Sequence, residues 1–133
     1  MTLTRGTVVL VDLDPTRGHE QHGKRPCVAV SDPEVVADQR FPLLGVVPLT
    51  RTAGSGALYP ELHPGPSGLT DTSYALIDHV RSVDKRRVRR VFGRIRDGEM
   101  AAIAEGLALF FGLAEHRADP DLSPAQQPPP HGG

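Results

Sequence analysis

Tryptophan is absent from this 133-residue chain, and aromatic residues make up only 5% of it. Broad base-stacking platforms are therefore not expected. No apolar stretch approaches the roughly 18 residues of a membrane-spanning helix, and the chain does not open with the apolar segment of a signal peptide. The formal net charge of only -1 argues against a protein that is basic all over, although it leaves room for a local basic patch.

Cysteine is almost absent as well, because Cys27 is the only one. It cannot form an internal disulfide, which favours a reducing compartment, and its apolar neighbours predict a small core residue rather than a reactive thiol. These features predict a soluble cytoplasmic protein. The length fits one domain.

Short apolar segments separated by turn-forming residues predict a mainly β fold with some helix. The predicted strands are 7–13, 25–31, 43–49, a weaker 57–63, 72–80 and 91–95. Pro48 cannot donate to a strand ladder, so the end of the third strand should lie at a sheet edge or a bulge. Six or seven short strands with two or three helices indicate a small, strongly bent sheet or barrel.

Helix signals are fewer. Residues 34–40 predict a short helix or an irregular loop, and Asp84 and Asp97 are each placed to cap a following helix. The last helix carries an apolar stripe that predicts a core or dimer contact, formed by Met100, Ile103, Leu107, Phe110, Phe111 and Ala114. The proline-rich tail 116–133 has almost nothing to bury, so it is predicted to be disordered and the folded domain to span 1–115.

The stretch 18–31 joins a polar loop to an apolar strand. Pro26 biases Arg25 towards an extended backbone, which holds a cation at the start of a strand where it can meet an anion. The alternative is that Lys24 and Arg25 are ordinary strand-edge charges that discourage aggregation. The sequence of this stretch alone leaves both interpretations open.

Positive charge is concentrated in residues 81–96, which hold eight of the chain's fifteen Lys and Arg residues. Such a run can neutralise several phosphates, or it can be a solvated helix face. His19 and His22 flank Glu20, but this spacing within a loop is not diagnostic of a metal site. No nucleotide-binding or hydrolase motif is present, and neither a metal nor a cofactor is predicted.

Three blocks in order carry a resemblance to a known family. They are Arg5–Pro26, which contains Gly-His-Glu-Gln-His-Gly-Lys-Arg-Pro, then Val47–Thr50, then Ser73–Arg86. Together they resemble the MazF/PemK/Kid toxins over residues 5 to about 114. The resemblance implies a small SH3-like β-barrel (CcdB/PemK-like) with a C-terminal helix, usually a homodimer. It also implies sequence-specific, metal-independent cleavage of single-stranded RNA, and inhibition by an antitoxin whose disordered tail crosses the groove.

The resemblance also implies the roles of individual residues. Arg25 matches the arginine that would stabilise the phosphorane, Thr50 matches a strand-end hydroxyl for the scissile phosphate, and Glu20 is the nearest candidate base. Asp78 matches an acid proposed as base in the Kid-like branch, but Leu76 stands where that branch has its partner arginine. The expected RNA-binding residues are His19, Lys24, Asp78, His79 and Arg81, whereas His22 is expected to face solvent.

Two further functions stay open on the sequence alone. One is a non-catalytic SH3-like module that binds a protein, including a gyrase poison like the CcdB toxins. The other is a basic RNA-binding module without catalysis, which would rest on the 81–96 run. The Gly-His-Glu-Gln loop, the Lys-Arg-Pro segment and Thr50 favour the nuclease over the protein-binding module, because that module does not need them. The cleaved sequence would depend on loops 32–42 and 51–56.

Overall fold

The fold, described by a computed structural model over residues 3–15, 17–113 and 128–130, is a curved antiparallel sheet with a C-terminal helix. The strands in this part of the chain are β1 (Thr7–Asp12), β2 (Lys24–Ala29), β3 (Leu43–Thr50), β4 (Glu61–Leu62), β5 (Ser73–Ala75), β6 (Arg81–Asp84) and β7 (Val88–Arg94). The helices are α1 (Pro33–Ala37) and α2 (Asp97–Phe110). This architecture confirms the predicted SH3-like, CcdB/PemK-like barrel.

The strands lie in the order β4-β5-β3-β2-β1-β7, and β6 also pairs with β3. Strand β3 is therefore the centre of the sheet. None of the helices in the described ranges is long and apolar enough to cross a membrane.

Alternating side chains give the sheet two buried faces. Val8, Val28 and Val47 belong to one face, which packs against Met100 and Ile103 of α2. Val9, Cys27 and Val46 belong to the other, which packs against Val36 of α1. The start of the predicted α2 stripe is thus core. Its end is not, because Phe110 and Phe111 are 43% and 57% exposed, and Ala114 lies outside the described residues.

Pro48 lies in the central strand and pairs with Cys27 without a register shift, so the expectation of a sheet edge or a bulge was wrong. Strand β3 pairs with β6 through Val46 and with β5 from Leu49 onward, so its partner on that side changes around Pro48. The Pro48 carbonyl accepts a hydrogen bond from the amide of Leu76 on the same side. The N–H and C=O of one residue point to the same side of a strand. The position where Pro48 lacks an N–H therefore faces the gap between β6 and β5, and no hydrogen bond between β3 and β2 is lost.

Residues 72–94 depart most from the sequence-based expectations. The predicted strand 72–80 ends at Ala75, and Ile77–His79 form a single 3-10 turn. Asp84 does cap, since its carboxylate accepts from the Arg86 amide at 2.8 Å, but the helix is only the 3-10 turn Lys85–Arg87. Residues 88–94 then pair with β1. Pairing along the edge of the sheet overrides local helix propensity here.

The cap of α2 also differs from expectation. Asp97 is the first helical residue, and its carboxylate lies 3.2 Å from the Arg94 guanidinium. The Glu99 carboxylate instead accepts from the Arg96 amide at 2.9 Å and from the His63 amide at 2.8 Å. One side chain thereby fixes both the start of α2 and the loop after β4. The predicted tail 116–133 lies outside the described residues except for Pro128–Pro130.

We expect the Cys27 thiol to be inert in the folded protein. The side chain is fully buried, and loss of hydration raises the pKa of the thiol to about 12, so the reactive thiolate is scarce at neutral pH. A thiol-reactive chromogenic disulfide at pH 8 should leave native protein unlabelled and label one equivalent after unfolding in guanidinium. Rapid labelling under native conditions would contradict this burial.

Candidate functional site

Arg25 and Thr50 are brought together by the pairing of β2 with β3. Cys27 pairs with Pro48 and Val28 with Val47, so the same register continued for two residues sets Arg25 level with Thr50. Both residues line a cleft of about 710 Å³, together with Lys24, Pro26 and Phe92. Two residues predicted to act on the phosphate, although 25 positions apart in sequence, therefore share one surface.

Local contacts orient both side chains. The Nε of Arg25 donates to the carbonyl of His22 at 3.1 Å, which ties the guanidinium to the loop before β2. Thr50 is only 4% exposed, and its Oγ1 accepts from the amide of Thr52 at 3.1 Å. A cation and a hydroxyl held in this way suit an oxyanion whose charge grows during reaction.

The loop before β5 also lines the cleft, although its residues were not among the predicted site residues. In this loop, Oδ2 of Asp71 accepts from Arg51 at 3.3 Å and from the hydroxyl of Thr70 at 3.2 Å. The loop reaches the cleft only because β5 pairs with the end of β3 at Leu49 and Thr50. No short-range pattern predicts such a contact.

A second concavity, of about 290 Å³, lies beside the first. It is lined by residues from the loop before β2 and from the segment before β6, namely His19, Glu20, Gln21, Pro48, Asp78, His79, Val80 and Arg81. Pro48 and Thr50 are two residues apart on β3, so roughly 7 Å of strand separates the two concavities. The structure thus divides the predicted site into a cleft with Arg25, Thr50 and Lys24 and a concavity with the remaining residues.

Glu20 is exposed, and its Oε1 accepts from the amide of Arg17 at 3.0 Å. The carboxylate therefore helps to hold the turn that carries His19 and Glu20. Its predicted role as general base remains a prediction.

Asp78 is held more firmly than Glu20. The hydroxyl of Tyr59 donates to Oδ2 of Asp78 at 2.7 Å, and desolvation together with this bond raises the pKa of Tyr59, so the phenol stays a donor. The other carboxylate oxygen, Oδ1, lies 3.7 Å from Nε2 of His79. Leu76, which replaces the arginine of the Kid-like branch, is buried in the core. Asp78 therefore has a tyrosine and a histidine as neighbours.

Arg81 and Lys24 differ in how firmly their side chains are held by the rest of the protein. Arg81 donates from Nη1 to the carbonyl of Leu13 at 3.1 Å, so part of its guanidinium has a structural role. Lys24 is exposed at the mouth of the cleft. His22 is exposed and lines neither concavity, as expected.

A third, smaller hollow of about 220 Å³ adjoins the second concavity. It is bounded by His19, Gln21, Asp78 and His79 on one side and by Pro128–Pro130 on the other. Within the described ranges, no three His, Cys, Asp or Glu side chains are grouped as a metal site would require.

Comparisons with known proteins agree with this arrangement. Endoribonuclease MazF9 of Mycobacterium tuberculosis (strain ATCC 25618 / H37Rv) is 32% identical over 115 residues, which cover 84% of this chain and 98% of that protein. The crystal structure of MazF from Deinococcus radiodurans has a TM-score of 0.71 at 26% identity, over 84% of this chain and 98% of the other.

A mycobacterial endoribonuclease solved in complex with its cognate antitoxin shares the fold, with a TM-score of 0.70 at 23% identity over 86% of this chain and 99% of the other. Residues 4–111 match the model of the family described as PemK-like, MazF-like toxin of type II toxin-antitoxin system. The chain therefore belongs to the PemK-like, MazF-like family of toxins of type II toxin–antitoxin systems.

Proposed function

We propose that this protein is a sequence-specific endoribonuclease toxin that cleaves single-stranded RNA without a metal ion. The observation that carries the proposal is the cleft in which Arg25 and Thr50 lie level on paired strands, with Lys24 at its mouth. Lys24 and Arg25 give the cleft cations that can meet the phosphates of an RNA backbone. Family membership and the 32% identity to an endoribonuclease support the same reaction class.

The proposed reaction uses the nucleophile that RNA itself carries. A 2′-OH loses its proton to a base and attacks the adjacent phosphorus, and the bond to the 5′ oxygen of the next nucleotide breaks as that oxygen gains a proton. Arg25 neutralises the charge that develops on the phosphorane, and Thr50 orients the phosphate. Glu20 is the proposed base, with Asp78 in the same concavity as the alternative.

The products would be a 2′,3′-cyclic phosphate, or a 3′-phosphate after its hydrolysis, and a 5′-OH. His19, Lys24, His79 and Arg81 would contact the RNA on either side of the cut, because they line the cleft and the neighbouring concavity. We further propose that the toxin is a homodimer in the cytoplasm and that a cognate antitoxin inhibits it by covering these surfaces. The type II family description supports an antitoxin partner.

The test is to map cut sites on a long RNA and to determine the end groups. We expect cleavage at a short recurring sequence, with cyclic or 3′-phosphate and 5′-OH ends, and unchanged rates in excess EDTA. Loss of activity in EDTA with recovery on adding a divalent ion would indicate a metal nuclease instead. Binding of RNA without cleavage would support a non-catalytic RNA-binding module, and inhibition of gyrase without RNA cleavage would support a CcdB-like poison.

A further inference from the structure

Most of the Lys and Arg side chains in the basic run 81–96 already have partners within the protein. Three of its cations donate to backbone carbonyls elsewhere in the chain: Arg81, Lys85 and Arg87. Four more lie within 4 Å of a carboxylate: Arg86, Arg89, Arg94 and Arg96. A run that reads in sequence as one basic surface is therefore largely a set of internal anchors and local ion pairs.

Arg90 is the exception. It is exposed and has no acidic partner among the residues that the structure describes. Its guanidinium carbon instead lies 5.0 Å from the ring centroid of Phe92, a cation–π distance. Phe92 lies where the register of β7 on β1 shifts, between Gly93, which pairs with Val8, and Val91, which pairs with Val9, and the contact itself places its ring beside Arg90. Phe92 also lines the cleft that contains Arg25 and Thr50.

The sheet register connects Arg90 to that cleft. Arg90 pairs with Leu10 of β1, and Leu10 pairs with Pro26 of β2, next to Arg25. Two strand spacings of about 4.8 Å separate Arg90 from Pro26, which is a short distance along an extended RNA strand. Leu10 and Pro26 are half-buried, so the surface between them and Arg90 is apolar and accessible. RNA leaving the cleft across β1 would therefore reach Arg90.

We propose that Arg90, supported on the ring of Phe92, forms a nucleotide-binding subsite on which one unpaired base next to the cut stacks. The planar guanidinium has two faces. Phe92 holds one, and a base stacks on the other, as bases do on arginine in single-stranded RNA complexes. Every base has a π-face, so the subsite adds affinity and does not select sequence. The inference rests on the proposed RNA-cleaving function and extends its binding surface to β7.

The competing explanation is that Arg90 contacts a phosphate as a simple charge. Arg90→Gln removes both the positive charge and the guanidinium plane. Arg90→Lys keeps the charge and removes only the plane on which a base could stack. Arg86→Gln is the matched control, since Arg86 comes from the same basic run, its side chain is 90% exposed and it is paired with Asp84. None of these variants alters a residue of the proposed catalytic set.

The test measures fluorescence anisotropy with a mixed-sequence 2′-fluoro RNA, which has no 2′-OH and cannot be cleaved. We expect Arg90→Gln and Arg90→Lys each to raise Kd about tenfold, the effect of losing one stacked base, and Arg86→Gln to change it less than twofold. In a series of oligonucleotides, each with one abasic nucleotide at a different position, one position should raise the Kd of the wild type. The same abasic nucleotide should cause no further rise in the Kd of Arg90→Lys. In cleavage assays KM should rise and kcat should stay within twofold.

Wild-type affinity in Arg90→Lys would overturn stacking in favour of a phosphate contact, and equal effects of Arg90→Gln and Arg86→Gln would overturn the subsite altogether. The proposed function fails separately. The wild type could bind the 2′-fluoro RNA, and the variants could show the expected changes in Kd, while natural RNA is not cleaved. That result would support the subsite and contradict the nuclease function. Absence of any RNA binding by wild type would overturn both.

Discussion

Replacement of Arg25 by alanine is expected to lower the rate of RNA cleavage by about a hundredfold to a thousandfold, the typical effect of removing one group that stabilises developing negative charge. The guanidinium lines the cleft beside Thr50, and its Nε is fixed on the His22 carbonyl, so it is positioned before RNA arrives. The measurement is a single-turnover rate on an RNA with a mapped cut site. Because Arg25 lies at the partly exposed start of β2 and not in the core, the midpoint of thermal unfolding should change by a few degrees at most.

Two comparisons sharpen this prediction. Arg25→Lys keeps the charge but loses the planar fork, so it should recover only part of the rate. Lys24→Ala, one residue away at the mouth of the cleft, should raise KM several-fold with little change in kcat. Arg25→Ala protein that is folded and still cleaves at near the wild-type rate would remove Arg25 from the site.

Gly93→Ala is expected to cause a large loss of stability, because the backbone of residues 66–67 packs directly against this residue of β7. A Cβ at Gly93 would lie 2.2 Å from the Pro66 carbonyl oxygen and 2.7 Å from the Ser67 carbonyl carbon. The Pro66 carbonyl also accepts from the Arg94 amide at 2.9 Å, so the loop cannot move away without breaking that bond. We expect the free energy of unfolding to fall by about 3 kcal/mol, the upper range for overpacking.

Gly98→Ala provides the control in the same region. Gly98 lies in the first turn of α2, and a Cβ there would meet nothing within 4 Å. This substitution should leave stability unchanged or raise it by up to about 1 kcal/mol, because alanine favours helix. Urea unfolding of both variants gives the comparison. Similar stabilities for Gly93→Ala and Gly98→Ala would show that the loop at Pro66 does not pack on β7 as described.

The central strands were predictable because their signal is local. Residues 7–13 and 43–49 are rich in β-branched and apolar residues, and the structure places β1 and β3 there with ends shifted by one residue. The capping role of Asp84 was equally local, since it requires only a carboxylate near the Arg86 amide. The Arg-Pro segment and Thr50 were identified from motif resemblance, and strand pairing then placed them together.

The elements that were mispredicted depend on partners far away in sequence. Residues 85–88 were predicted to start a capped helix and 91–95 to form a separate strand, but Val88–Arg94 form the single strand β7, because the edge of β1 is available for them to pair with. Pro48 is tolerated in the central strand because β3 changes partner beside it. Neither the free edge of β1 nor the change of partner along β3 can be predicted from the local sequence of the residues involved.

The sequence by itself therefore determined the family, the barrel with its C-terminal helix, and the identity of Arg25 as a cation at a strand start. Only the tertiary structure decided how the polar residues divide between two concavities and which charges of the basic run are available. Arg89 and Arg90 are adjacent, yet one lies 3.8 Å from Asp12 and the other lies on Phe92. The register of β7 on β1 shifts between Leu10 and Val11, so Arg89 has no paired residue, and the partner that each arginine meets depends on how the two strands pair.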